Sequence, residues 1–192
     1  MRRALFVPLL ALVVTACSSD TTVSGEAPSC SGSDRPAGNG VLLIAQSVPT
    51  SSWVPCLRTG LPSGWTFAGL DARNGRSRLS LDSDRDGVGA IAVLLEPTCN
   101  TSGATEIPSD REGMRRWERV KEVSPHYVGT RYYVFDGGCL TFDFRLGGDS
   151  HGEALALASQ LVGAAPRDEL RAQVRADSDG RLSLDPAEDG AG

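Results

Sequence analysis

Apolar and polar side chains alternate with a period of two through the middle of this chain, and the period lengthens toward its C-terminus. Leu79 and Leu81 alternate with Arg78 and Ser80, as a half-buried strand requires. Trp65 to Leu70 and Arg76 to Leu81 read as the arms of a hairpin around Arg73-Asn74-Gly75. Asn-Gly is a strong tight-turn signal, because the favoured two-residue turn needs positive φ. Ala90 to Leu95 is apolar at every position, which predicts a central strand. Arg131 to Phe135 and Leu140 to Arg145 flank Asp136-Gly137-Gly138 as a second hairpin. There Tyr132, Val134, Leu140, Phe142 and Phe144 supply the alternating faces.

Helical spacing occurs at both ends of this region. Val41 to Gln46 is a short apolar segment that reads as a helix or helical turn, ended before Pro49. Near the C-terminus, Ser150 and Glu153 form a Ser-x-x-Glu pattern of the capping-box kind. Ala154, Leu155, Ala158, Leu161 and Val162 follow at helical spacing. Beyond Pro166, a second helix over 167–175 carries Leu170 and Val174. Strands first and helices last predict an α+β domain, a small antiparallel sheet with C-terminal helices packed on one face. By length, residues 40–176 make one such domain. Residues 18–39 are rich in Ser, Thr, Gly and Pro and read as a flexible tether with a reach on the order of 25 Å. Residues 177–192 read as an acidic disordered tail.

Ahead of the tether, Met1-Arg2-Arg3 precedes the apolar run Ala4 to Val14, which leads into Val14-Thr15-Ala16-Cys17. The run is shorter than the roughly 20 residues that span a bilayer, so residues 1–16 read as a cleaved signal peptide. Val14 to Cys17 resembles the lipobox of bacterial lipoproteins. That resemblance implies that Cys17 becomes the new N-terminus, with thioether-linked diacylglycerol and an acyl chain such as palmitate on its amine. A lipoprotein of that kind sits on the extracytoplasmic face of the cell membrane, and two or more chains hold it stably. The alternative is an ordinary secretory signal with a chance cysteine after it. Ala45 to Cys56 and Tyr132 to Phe142 resemble segments of uncharacterised actinobacterial exported proteins, a likeness that implies no activity.

Cysteine usage agrees with export. Setting Cys17 aside leaves Cys30, Cys56, Cys99 and Cys139, an even number that reads as two disulfides in an oxidising compartment. Four cysteines allow three connectivities, and the pairing Cys30–Cys56 with Cys99–Cys139 is the one we expect. The first staples the tether to the domain, and the second joins two predicted strands. A zinc site is disfavoured: the chain has no C-x-x-C and only two histidines, His126 and His151. Loss of Arg2 and Arg3 with the signal leaves 17 basic against 24 acidic residues, a charge of −7. That balance disfavours nucleic acid and gives no general attraction to anionic lipid.

Candidate chemistry is sparse. Asp82, Asp84 and Asp86 with Gly87 make the D-x-D-x-D-G opening of a calcium loop, where alternating carboxylates aim hard oxygens at one point. The continuation departs from it: Ala90 and Val93 stand at positions 9 and 12, and Arg85 adds a cation. A polar turn between strands uses the same residue types. Asp177, Asp179 and Asp185 make a poorer version in the tail. Arg111, Arg115 and Arg119, with Arg116 beside them, would form a cationic stripe on a helix, but Trp117 suits a strand equally well. Asp110, Glu112, Glu118 and Glu122 interleave with them, which favours local ion pairs. The chain has no G-x-S-x-G elbow, and neither histidine has an evident catalytic partner in the sequence. No catalytic residue is assigned. The expectation is a non-catalytic, lipid-anchored binding or envelope-accessory domain, whose partner is an envelope protein or a small ligand. The alternatives are a metal-assisted envelope hydrolase or a weak calcium-binding surface protein, both using Asp82, Asp84 and Asp86.

Overall fold

The structure, a computed structural model, describes residues 21–23, 26–30, 37–58 and 60–185. In chain order the elements are β1 (Thr21–Val23), α1 (Asn39–Ser47), β2 (Trp53–Leu57), β3 (Trp65–Arg73) and β4 (Arg76–Ser83). Then come β5 (Gly87–Glu96), β6 (Thr105–Ile107), β7 (Arg115–Glu122), β8 (Tyr127–Phe135) and β9 (Gly138–Leu146). The chain continues with α2 (His151–Leu161), β10 (Val162–Pro166) and α3 (Arg167–Asp177). Eight strands form one antiparallel sheet in the order β1-β3-β4-β5-β9-β8-β7-β6, and β2 pairs with β10 in a separate ribbon.

Both expected hairpins form. β3 and β4 close on Arg73 opposite Arg76, with Gly75 at φ +83°. β8 and β9 close on Phe135 opposite Gly138. Apolar on both faces, β5 lies between β4 and β9 as its pattern requires. Leu79, Leu81, Ile91, Val93, Leu95, Tyr133, Leu140, Phe142 and Phe144 face one continuous core. Val41 and Ile44 of α1, Val54 and Leu57 of β2, Ala158 and Leu161 of α2, and Leu170 and Val174 of α3 complete it.

The expected architecture holds in its coarse form, a mainly antiparallel sheet with a few helices. Its scale does not: the sheet is large, and the helices are no simple C-terminal layer on a small one. One of them, α1, precedes nearly all the strands, and the β2–β10 ribbon shares the covering layer. The added strands lack an apolar stripe. Six of the eight residues of β7 are charged, and β10 reads Val-Gly-Ala-Ala-Pro.

Both cysteine pairs lie at disulfide distance. Cys30–Cys56, with Cα atoms 4.8 Å apart, locks residues 26–30 against β2. There the Leu57 amide donates to Pro28 O and the Cys30 amide to Leu57 O, both at 2.7 Å. Cys99–Cys139, at 5.8 Å, ties the long β5–β6 connection to the start of β9. That connection must cross β9, β8 and β7 to reach the far edge. Closing loops of 26 and 40 residues contributes about 3 to 4 kcal/mol each in the chain-entropy account.

The ordered chain also extends beyond residues 40–176. Thr21 to Val23, inside the stretch read as tether, pairs with β3. Past α3, Ser178 Oγ donates to Val174 O at 2.8 Å, and Leu184 is buried against the core. The 177–192 stretch is therefore described as far as Asp185, whose amide donates to Gln46 Oε1 at 3.2 Å. Residues 1–16 and Cys17 lie outside the described residues.

Candidate functional site

An open cavity lies at the end of the sheet where β3 begins and β4 turns into β5. Three segments distant in sequence meet there. The β4–β5 turn is built on Ser83, whose Oγ donates to Asp86 Oδ2 at 3.0 Å and accepts from the Asp86 amide at 3.1 Å. The turn reaches back to the entry of β3, because the Asp84 amide donates to Gly64 O at 2.8 Å. It reaches forward to the approach of α2 as well. Asp86 Oδ1 accepts from the Gly148 amide and Asp86 O from the Gly147 amide, both at 3.1 Å. Between these segments lies an open cleft of about 700 Å³. Trp65, Pro62, Ala154 and Leu157 form its apolar wall, and Asp84, Asp149, Arg85 and Glu153 its charged rim. Arg85 Nη1 and Glu153 Oε2 stand 3.7 Å apart at the mouth, both largely exposed.

Two of the three candidate calcium ligands reach this cleft. Asp84 and Asp86 line it, but Asp86 is already engaged with main-chain amides. Asp82 is directed elsewhere, its Oδ1 accepting from the Gly89 amide at 2.7 Å. Among the described residues, no group of three or more His, Cys, Asp or Glu is placed to hold a metal ion. The Asp82 and Asp86 carboxylates serve the fold in the way that Asp commonly serves turns. The Ser-x-x-Glu pattern has a different outcome from the one expected. Ser150 precedes α2 without a side-chain cap bond, and the Glu153 carboxylate faces Arg85 instead.

The arginine run lies on a strand and the loop before it, so the run is divided between faces. Arg115 stacks over Trp117 at 4.5 Å and pairs with Glu106 at 2.9 Å. Arg119, near Tyr132, donates to Ser102 O at 3.0 Å. These two hold the outer face and the crossing loop. On the core side, Arg116 Nη2 and Arg131 Nε both donate to Glu118 Oε1 at 2.5 Å. Arg131 Nη1 goes on to Ser159 of α2 at 2.7 Å. Asp110 joins this network, accepting from Tyr133 at 2.8 Å and from Arg116 at 3.2 Å. Arg111 lies over the Tyr133 ring at 4.8 Å and donates to Val162 O at 2.5 Å. No cationic stripe forms. The histidines flank Tyr127: His151 opens α2 with its ring 6.1 Å from the phenol, and His126 is the residue just before it.

Burial pushes the Glu118 carboxyl upward, and its bonds to Arg116 and Arg131 outweigh that push, holding it below the ordinary glutamate value. A carboxylate lowered in the folded state stabilises above its unfolded pKa, and that contribution disappears as the pH falls through the folded value. The stability gap between the parent protein and Glu118→Gln is therefore expected to be widest at neutral pH and to narrow through the acidic carboxylate range. Urea midpoints measured across pH check this, and a constant gap counts against it.

The cleft was not legible as a motif, because Trp65, Asp84 and Glu153 come together only through the fold. Trp65 reads in sequence as core, and nothing around it signals a pocket wall. The fold and cleft define a disulfide-braced, mainly antiparallel domain with an open, acid-rimmed pocket at one sheet end. Compared with known proteins, the chain matches no family model, no curated protein and no solved structure.

Proposed function

We propose that this chain is a lipid-anchored extracytoplasmic binding domain whose cleft takes a small ligand with a cationic head and an apolar body. The observation that carries the reading is the pairing of an indole and leucine wall with a carboxylate rim in one open cavity. Asp84, Asp149 and Glu153 outnumber Arg85 there, and an aromatic face beside carboxylates favours an organic cation. The lipobox at Cys17 and the two disulfides support the extracytoplasmic part of the reading. Metal-assisted hydrolysis and weak calcium binding at Asp82, Asp84 and Asp86 draw on the sequence alone, since the fold engages Asp82 and Asp86 with main-chain amides.

The test uses benzyltrimethylammonium and phenylacetate as a matched aromatic cation and anion. The cation is expected to raise the melting temperature, and a ligand at 100 times its Kd stabilises by about 2.7 kcal/mol. Trp65→Ala and Glu153→Gln are expected to remove the shift. An equal response to the anion, or none to either, overturns the cleft reading. Intact-mass analysis of the membrane fraction tests the anchor: a diacylated Cys17 supports it, and an unmodified leader sinks it.

A further inference from the structure

We propose that the β3–β4 hairpin is the membrane-facing tip of this domain, with anionic lipid headgroups as its partner. The inference rests on the anchor reading above. Its own observation is the register of β1. Thr21 pairs with Ala72 and Val23 with Leu70, so β1 enters the sheet beside the Arg73–Arg76 turn. Only the links from Cys17 to Thr21 then lie between the lipid and the sheet. Fully extended, they span about 14 Å. A tether of the length read from composition leaves orientation free. A strand docked this close to the anchor does not.

Charge disposition agrees. Arg73 and Arg76 flank the turn and are half exposed, with Arg78 two residues further along β4. Arg73 pairs with Asp71, and Arg76 with Glu96 at 3.7 Å. Such exposed pairs are weak, so lipid phosphates can compete for the guanidinium groups. With Asp136 of the neighbouring turn, three acids balance these three arginines. The opposite end is more acidic: Asp82, Asp84, Asp86, Asp149 and Glu153 stand there against Arg85 and Arg145. Strand β3 separates the two ends by about 26 Å. An anionic surface repels the acidic cleft end and tolerates the balanced hairpin end, where the arginines stand to meet lipid phosphates. The cleft then opens away from the bilayer.

The experiment uses the full lipidated chain in vesicles of phosphatidylglycerol and phosphatidylcholine. With Cys17 acylated and the other cysteines paired, Asn74→Cys gives one free thiol at the tip. Val88→Cys, at a side chain 90% exposed near the cleft, gives one at the far end. A donor dye on each is paired with an acceptor on the lipid headgroups. Quenching at position 74 is expected to exceed that at 88 several-fold. Arg73→Gln with Arg76→Gln is expected to reduce the contrast, as is a Gly-Ser insertion of about 20 residues between Cys17 and Thr21. Equal quenching at both positions, or more at 88, overturns the proposal while leaving the anchor intact. Failure of the chain to float with the vesicles removes the anchor, and this inference with it.

Discussion

Arg167→Met is expected to lower the unfolding free energy by about 4 kcal/mol, read as a fall in urea midpoint with little change in slope. Arg167 opens α3 and is only 4% exposed, yet every bond it makes serves another element. Nε donates to Ser51 O at 2.5 Å and Nη1 to Asp185 O at 2.8 Å. Nη2 donates to Val48 O at 2.7 Å and also to Ala45 O. Ala45 and Val48 stand at the C-terminal end of α1, where helix carbonyls have no partner within the helix. A buried guanidinium thus closes α1, and the negative end of that helix favours its charge. Burial lowers its pKa from a very high starting point, so it remains a cation throughout the working range. Methionine matches the stem but leaves several buried carbonyls unpaired, at about 1 to 3 kcal/mol each. Arg167→Lys restores the charge without the fork and is expected to recover less than half of the loss. A cost under about 1 kcal/mol for the methionine variant would refute this account.

What the sequence disclosed, and what it withheld, follows from where apolar contrast exists. The β3–β4 and β8–β9 hairpins were readable because turn chemistry and alternating side chains agree at both. The cysteine pairing was readable because Cys30 precedes the first buried elements and Cys99 and Cys139 adjoin predicted strands. Strand β7 was ambiguous because its inward positions are not apolar. Arg116 and Glu118 face Tyr133 and Arg131 across the ladder, so the core ends there in ion pairs. Strand β10 carries no pattern at all; it exists because β2 offers a partner and Gly163 lets the Cys30 sulfur approach. Aspartate proximity in sequence resembles a metal loop, while the turn sends Asp82 and Asp86 to amides on different segments.

Gly137→Ala is expected to cost about 4 kcal/mol, whereas Gly75→Ala, at the equivalent place in the other hairpin, is expected to cost about 1 kcal/mol. The two glycines share the backbone requirement, with φ of +67° and +83°. Their surroundings differ. A Cβ on Gly75 meets nothing within 4 Å, so alanine there bears only the conformational penalty. A Cβ on Gly137 overlaps the Thr50 carbonyl oxygen and comes within 2.7 Å of its carbon. That contact is main chain, which has no rotamer to yield. It also sits in a seam that the fold uses. Thr50 Oγ1 donates to Gly137 O at 2.8 Å, and the amide and hydroxyl of Ser52 donate to Asp136 O at 3.1 and 2.8 Å. These bonds fasten the link between α1 and β2 to the β8–β9 turn. Relief of the overlap must lengthen them together, so alanine costs both the clash and part of the seam. The difference between the two variants isolates that steric term from the preference for positive φ. Thermal or urea unfolding of the pair measures it, and near-equal losses would mean that the 48–52 link moves freely away from the turn.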